Sequence, residues 1–173
     1  MQRILILGCA GTGKSTLAVA LGRKLGLPVI HLDAHFWHAG WVETPKAEWP
    51  AKVAALVQGD RWVMDGNYAS TLAERLAACD TVVFLDRHRL VCLYRVLVRC
   101  LKFLGRTRPD MPENCPEKVD WEFLCWIWNY ARDVKPVTLG LAREQAGARP
   151  VAILRSNREI AEFVRNAVPG GVE

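Results

Sequence analysis

The stretch Gly8-Cys9-Ala10-Gly11-Thr12-Gly13-Lys14-Ser15 decides how this chain folds. It has the spacing GxxxxGKS. The apolar run Ile4-Leu5-Ile6-Leu7 precedes it, and residues 14–25, which read as a helix, follow it. Strand, glycine-rich turn and helix in that order make a phosphate-binding loop. Glycines let the backbone turn tightly and approach phosphate with no Cβ in the way. Successive amide N–H groups then point at phosphate oxygens from the positive end of a helix dipole. On this reading Gly8, Gly11, Thr12, Gly13 and Thr16 form the cradle, Lys14 reaches the outer phosphates, and the Ser15 hydroxyl ligates Mg²⁺. The expected ligand is a nucleoside triphosphate, ATP.

The chain's 173 residues, half of them hydrophobic, suit a single compact domain spanning 1–173. No apolar run approaches the roughly 20 residues of a membrane span. Met1-Gln2-Arg3 leads directly into a strand rather than a signal peptide, so the expected location is the cytoplasm. Six cysteines without a CxxC pair read as reduced thiols, not as a disulfide framework or a zinc site. A net charge of +5 fits an anionic ligand, and it equally fits weak association with nucleic acid. The tail 169–173 reads as loose.

Strand-like and helix-like segments alternate along the chain. Strands are expected at 3–7, 28–32, 61–64, 81–85 and 149–154. Helices are expected at 14–25, 46–58, 70–78, 88–104, 120–133 and 157–167, with a break at Pro136 before a further helical stretch to 145 and Ser156 as an N-cap. Alternation of this kind predicts a parallel sheet covered on both faces, a three-layer α/β/α fold. In such sheets the ligand sits at the carboxyl ends of the strands.

Residues just beyond the strands are therefore candidates for chemistry. Asp65, which opens Asp65-Gly66-Asn67-Tyr68, can hold Mg²⁺ through water beside Ser15; as a bland alternative it is a turn residue. Asp33 reads as an acceptor ligand or general base, or else as a helix cap. Asp86 carries a weaker claim and is a candidate cap for the helix that follows it. Arg95 and Arg99 lie four apart on one helix face, with Arg106 and Arg108 in the loop beyond. A mobile arginine loop would stabilise charge on a transferring phosphoryl group; the alternative is a solvated basic face. His31, His35 and His38 invite a metal reading, but no nearby cysteine completes a ligand set. Trp121, Phe123, Trp126, Trp128 and Tyr130 read as core or lid packing rather than a base-stacking platform.

Together the blocks GCAGTGKST (8–16), HLDAHFWHAGW (31–41), WVMDGNY (62–68), FLDRHRLVCLYRVLVR (84–99) and GRTRPDMPENCPEKVDWEFLCWIWNY (105–130) resemble the adenylate-kinase-like branch of the P-loop kinases. More narrowly, the chain resembles bacterial topology-modulation (FlaR-type) proteins and adenylate-kinase-related kinases. The resemblance implies a five-stranded parallel core, an acceptor-binding region at 34–60 and a lid at 105–118. It also implies phosphate, magnesium and arginine roles for Lys14, Ser15, Asp65, Arg95 and Arg99, and an adenine contact near Arg155. Two departures bear on the acceptor. Where such kinases carry an arginine three residues after the acid of the second strand, this chain has Phe36. Where they carry Gly-aromatic-Pro-Arg after the third-strand acid, it has Gly66-Asn67-Tyr68-Ala69. Both arginines that grip an acceptor phosphate are missing, unless Arg87 or Arg89 substitutes. A hydroxyl acceptor, by contrast, needs a base such as Asp33.

The expected activity is thus ATP- and Mg²⁺-dependent phosphoryl transfer to a small molecule, a nucleotide or nucleoside among the candidates. The rival is a nucleic-acid-associated regulatory ATPase, for which no helix-turn-helix, zinc finger or RNP sequence is present. A GTPase is disfavoured: there is no NKxD-like run, and Asp86-Arg87-His88-Arg89 lacks the glycine of a DxxG switch.

Overall fold

The computed structural model describes residues 1–108, 111–147, 149 and 151–168. Its centre is a five-stranded parallel sheet in the order β2-β5-β1-β6-β7. The strands are β1 (Arg3–Gly8), β2 (Val29–His31), β5 (Trp62–Asp65), β6 (Thr81–Leu85) and β7 (Val151–Leu154). The central strand β1 is apolar throughout because both of its faces are covered. Ile4 and Ile6 join one core cluster and Leu5 and Leu7 the other. On the first face lie α1 (Lys14–Leu25), through Leu17, Ala18, Leu21 and Leu25, and α8 (Asn157–Asn166), through Ile160, Phe163 and Val164. On the second lie α3 (Trp49–Leu56), α4 (Leu72–Ala78), α5 (Arg89–Lys102), α6 (Trp121–Asp133) and α7 (Lys135–Ala146). This is the three-layer α/β/α fold that the alternation predicts.

Several boundaries differ from expectation, for local reasons. The second strand stops at His31, and Leu32–Phe36 forms a short helix, α2. A two-stranded antiparallel hairpin follows, β3 (Trp37–His38) with β4 (Val42–Glu43). Pro45 delays the next helix: its carbonyl accepts from the amides of Glu48 and Trp49, and α3 starts only at Trp49. Asp86 does not cap α5. His88 is the N-cap, accepting from the Leu90 amide, while Asp86 is held by Lys135 Nζ at 2.7 and 2.8 Å and lies 3.6 Å from Arg155 Nε. Pro136 sits in the first turn of α7, where its missing N–H is no loss. Asp120 caps α6. Ser156 caps α8 in a reciprocal box with Glu159, whose carboxylate also accepts from the Arg155 amide. The expected start of the last strand, at 149–150, and the tail 169–173 fall wholly or partly outside the described residues, as do Pro109 and Asp110 of the lid segment. Among the described residues no helix is long and apolar enough to cross a membrane.

Candidate functional site

The loop between β1 and α1 has the backbone its glycines predict. Gly8, Gly11 and Gly13 all have positive φ. At Gly11 (φ +76) a Cβ would stand 2.4 Å from the Cys92 carbonyl oxygen, so α5 packs directly on the loop and only glycine fits. Thr12 Oγ1 and Lys14 Nζ both donate to the Cys9 carbonyl, at 2.7 and 3.0 Å. The loop is also fastened from the side. The Asn67 side chain donates to the Gly8 carbonyl (2.9 Å) and accepts from its amide (3.3 Å), which ties the turn after β5 to the start of the cradle.

Ser15 Oγ donates to Asp65 Oδ2 at 2.7 Å, and Asp65 Oδ1 lies 2.7 Å from His31 Nδ1. Asp65 is buried at the end of β5. A hydroxyl and a buried carboxylate side by side are hard oxygen donors that suit Mg²⁺. Among the described residues no group of three or more His, Cys, Asp or Glu could hold a metal by itself. The pair thus fits an ion whose remaining ligands are phosphate oxygens and water. The three histidines do not converge: His31 meets Asp65, and His38 meets Thr44 Oγ1. His35 has its pKa lowered by burial, with Lys52 and His31 adding to the shift.

Asp33 lies in the first turn of α2, whose N-cap is His31, so it is not a cap. Its Oδ1 accepts from the Tyr68 hydroxyl at 2.7 Å. Tyr68 has the unusual φ of 21° and packs against Phe36 and Trp49 at centroid distances of 4.7 and 4.9 Å. Burial first, then the Asp33 charge, raises its pKa far above the ordinary value, so the phenol remains a donor to Asp33. Arg75, on α4, is fully buried and donates to the backbone carbonyls of Gly66, Asn67, Tyr68 and Thr71. Burial pushes its pKa down only to about 10, so it is charged at neutral pH and fixes the whole turn. Neither Arg75 nor Asn67 stands out in the sequence.

The arginines divide. Arg95 turns to the loop, with Nη1 donating to Thr12 O (3.3 Å) and Nη2 to Asn157 Oδ1 (3.3 Å). Asn157 Oδ1 also accepts from Arg87. Arg99 and Arg108 both approach the buried carboxylate of Glu117, at 3.2 and 2.6 Å, across the base of the lid segment. Arg106 is exposed, and neither it nor Arg155 lines the cavity. Arg89 lies over the Trp128 ring at 4.4 Å, away from the loop. On α6, Phe123 and Trp126 stack with centroids 5.9 Å apart and face the site, while Trp121 is exposed.

A single cavity of about 980 Å³ runs from the loop to the hairpin. Residues 11–16, Asp65 and Arg95 line one end; Asp33, Trp37, Trp41, Glu43 and Tyr68 line the other. The hairpin is bonded to residues 114–116, within the segment expected as a lid. Gly40 N donates to Asn114 O (2.8 Å), Trp41 Nε1 to Pro116 O (3.0 Å), and Cys115 Sγ to His38 O (3.2 Å).

No protein-family model and no curated protein sequence matches the chain. Solved structures do. Shikimate kinase from Acinetobacter baumannii, in complex with shikimate, aligns with a TM-score of 0.63 at 16% identity, over 95% of this chain and 89% of that one. Shikimate kinase from Bacteroides thetaiotaomicron gives 0.59 at 20% identity, over 95% and 94% of the two chains. A gluconokinase from Sinorhizobium meliloti gives 0.53 at 18%, over 95% and 87%. This chain shares their fold.

Proposed function

We propose that the chain is an ATP- and Mg²⁺-dependent phosphotransferase that acts on a small hydroxyl-bearing acceptor. The observation that carries this reading is the single cavity joining the phosphate loop to Asp33. Such a cavity lets a triphosphate and an acceptor be held side by side. In this reading the loop amides and Lys14 hold the β- and γ-phosphates. Ser15 and, through water, Asp65 would hold a magnesium ion, which would supply charge neutralisation at the phosphates. His31 orients the Asp65 carboxylate. Asp33 takes the proton of the acceptor hydroxyl, with Tyr68 holding one of its oxygens and leaving the other for the acceptor. Arg95 balances charge at the loop, and Arg99 and Arg108 reach the phosphates if the lid at 105–118 shifts them off Glu117. Arg106 and Arg155 would serve at the lid edge and beside the adenine. The acceptor region is 34–60.

A hydroxyl acceptor is favoured over a phosphate because Phe36 and Ala69 occupy the places where acceptor-phosphate arginines would stand. Arg87 and Arg89, the candidate substitutes for them, are turned to Asn157 and Trp128. The fold-level likeness to shikimate kinase and gluconokinase agrees with a hydroxyl acceptor. A role as a nucleic-acid-associated ATPase is not favoured, since Arg95, Arg99 and Arg108 turn inward rather than forming a surface strip. Six free thiols suit the reducing cytoplasm. The test is a screen of alcohols, nucleosides and nucleoside monophosphates with ADP release as readout. Stimulation by hydroxyl compounds supports the reading, and stimulation by monophosphates alone refutes the acceptor assignment.

A further inference from the structure

We infer that the acceptor is an alcohol that also carries a protonated amine; this rests on the phosphotransferase reading above and names its substrate class. The acceptor end of the cavity combines two features that favour cations. Its wall is aromatic, with Trp37 packed on Trp41 and Tyr68 bonded to Asp33, and Phe123 and Trp126 line the same cavity. It also carries the carboxylates of Asp33 and Glu43, neither of which is in an ion pair among the described residues. The cavity's cations have other partners: Lys14 and Arg95 bond loop carbonyls, and Arg99 and Arg108 approach Glu117, while Lys118 lines the cavity beside Glu117 in sequence. The aromatic wall is built, not incidental. Trp37 and Trp41 meet edge to face at 5.3 Å. Trp41 holds a φ of 62°, which a residue with a Cβ rarely adopts, and its indole N–H is anchored on Pro116 O of the lid segment at 3.0 Å.

Indole faces and carboxylates both attract an ammonium group, and at this end, where Asp33 and Glu43 are exposed, the two attractions act together. An acceptor bearing a carboxylate or phosphate would instead meet Asp33 and Glu43 with like charge. The ammonium group has no lone pair, so the hydroxyl remains the nucleophile. Its oxygen bonds to the γ-phosphorus, the bond from that phosphorus to the bridging oxygen breaks with its electron pair leaving on ADP, and the hydroxyl proton passes to Asp33. Glu43, two residues beyond the hairpin turn, is a specificity residue that meets the amine and not the reacting oxygen.

The test is ADP release with Mg²⁺-ATP and a panel of amino alcohols and amino sugars, each paired with its N-acetyl form and with a carboxylated or phosphorylated analogue. Amine-bearing members are expected to exceed their acetylated partners at least about tenfold in kcat/KM, and Glu43→Gln should shrink that ratio about tenfold. The product should be a phosphate monoester by ³¹P NMR. If no amine-bearing alcohol raises ADP release above the acceptor-free rate, or if Glu43→Gln leaves the ratio unchanged, the inference is overturned. Calorimetry with ATP separates the two levels. A chain that binds Mg²⁺-ATP but responds only to acids or phosphates loses this inference alone, and one that does not bind it loses the phosphotransferase reading as well.

Discussion

The two ends of the cavity are built differently. The phosphate end is made of backbone. Its shape follows from positive-φ glycines, from a carbonyl of α5 pressed against Gly11, and from the Asn67 clasp on Gly8. In the proposed reading, such a surface would bind the part of a ligand common to all nucleoside triphosphates. The proposed acceptor end is made of side chains drawn from α2, the hairpin and the turn after β5. It can be rewritten residue by residue without touching the sheet. On that reading generic chemistry would reside in the half made of backbone, and selectivity in the half assembled from loops.

Breaking the phosphate end should have the largest effect. Lys14→Ala is expected to lower the rate of ADP formation by about three orders of magnitude or more, with an unchanged circular dichroism spectrum. Retained turnover would mean that the loop is not the site of transfer. Next comes the acceptor base. Asp33→Asn should reduce kcat with a hydroxyl acceptor by about a hundredfold or more while leaving ATP affinity near wild type. If kcat holds and only KM moves, Asp33 binds the acceptor but takes no proton.

A third change tests what joins the two ends. Arg75→Met removes the buried donor to four carbonyls of the turn that carries Asn67 and Tyr68. It should destabilise the fold by about 3 kcal/mol, read from denaturant midpoints, because those acceptors lose their partner. An unaltered midpoint would show that water replaces the guanidinium. The smallest effect concerns pH. Half-buried Tyr68 and buried Tyr130 keep their protons above the ordinary tyrosine value of 10.0, at which the unfolded chain gives them up. The unfolded state then binds fewer protons than the native one, so stability should fall as pH rises through 10. Tyr68→Phe should flatten that fall, and an identical pH profile would contradict the burial argument.

The sequence discloses these regions unequally, and the physics says why. GxxxxGKS is local, so the loop, the helix it opens and the paired oxygens of Ser15 and Asp65 follow from spacing and from the rule that ligands sit at strand ends. Asp33 is legible as a candidate for the same reason, but its partner Tyr68 lies 35 residues away and no pattern links them. Arg75 reads as an ordinary charge on a short helix because its four acceptors are backbone atoms of a turn. The paired approach of Arg99 and Arg108 to Glu117 depends on how the lid segment folds back, through isolated bridges such as Thr107 with Pro116. The hairpin did leave a trace in Ala39-Gly40, where Gly40 takes φ +77 between two tryptophan-bearing segments. Strands of two residues each are too short for alternation to reveal them.

The most direct measurement is calorimetric titration of a non-hydrolysable ATP analogue with Mg²⁺ into the wild-type chain and into Lys14→Ala. Saturable one-to-one binding by the wild type, much weakened in the variant, is the predicted result. No heat of binding to the wild type, or equal affinity in both proteins, would contradict the claim that a triphosphate lies on the Gly8–Ser15 loop.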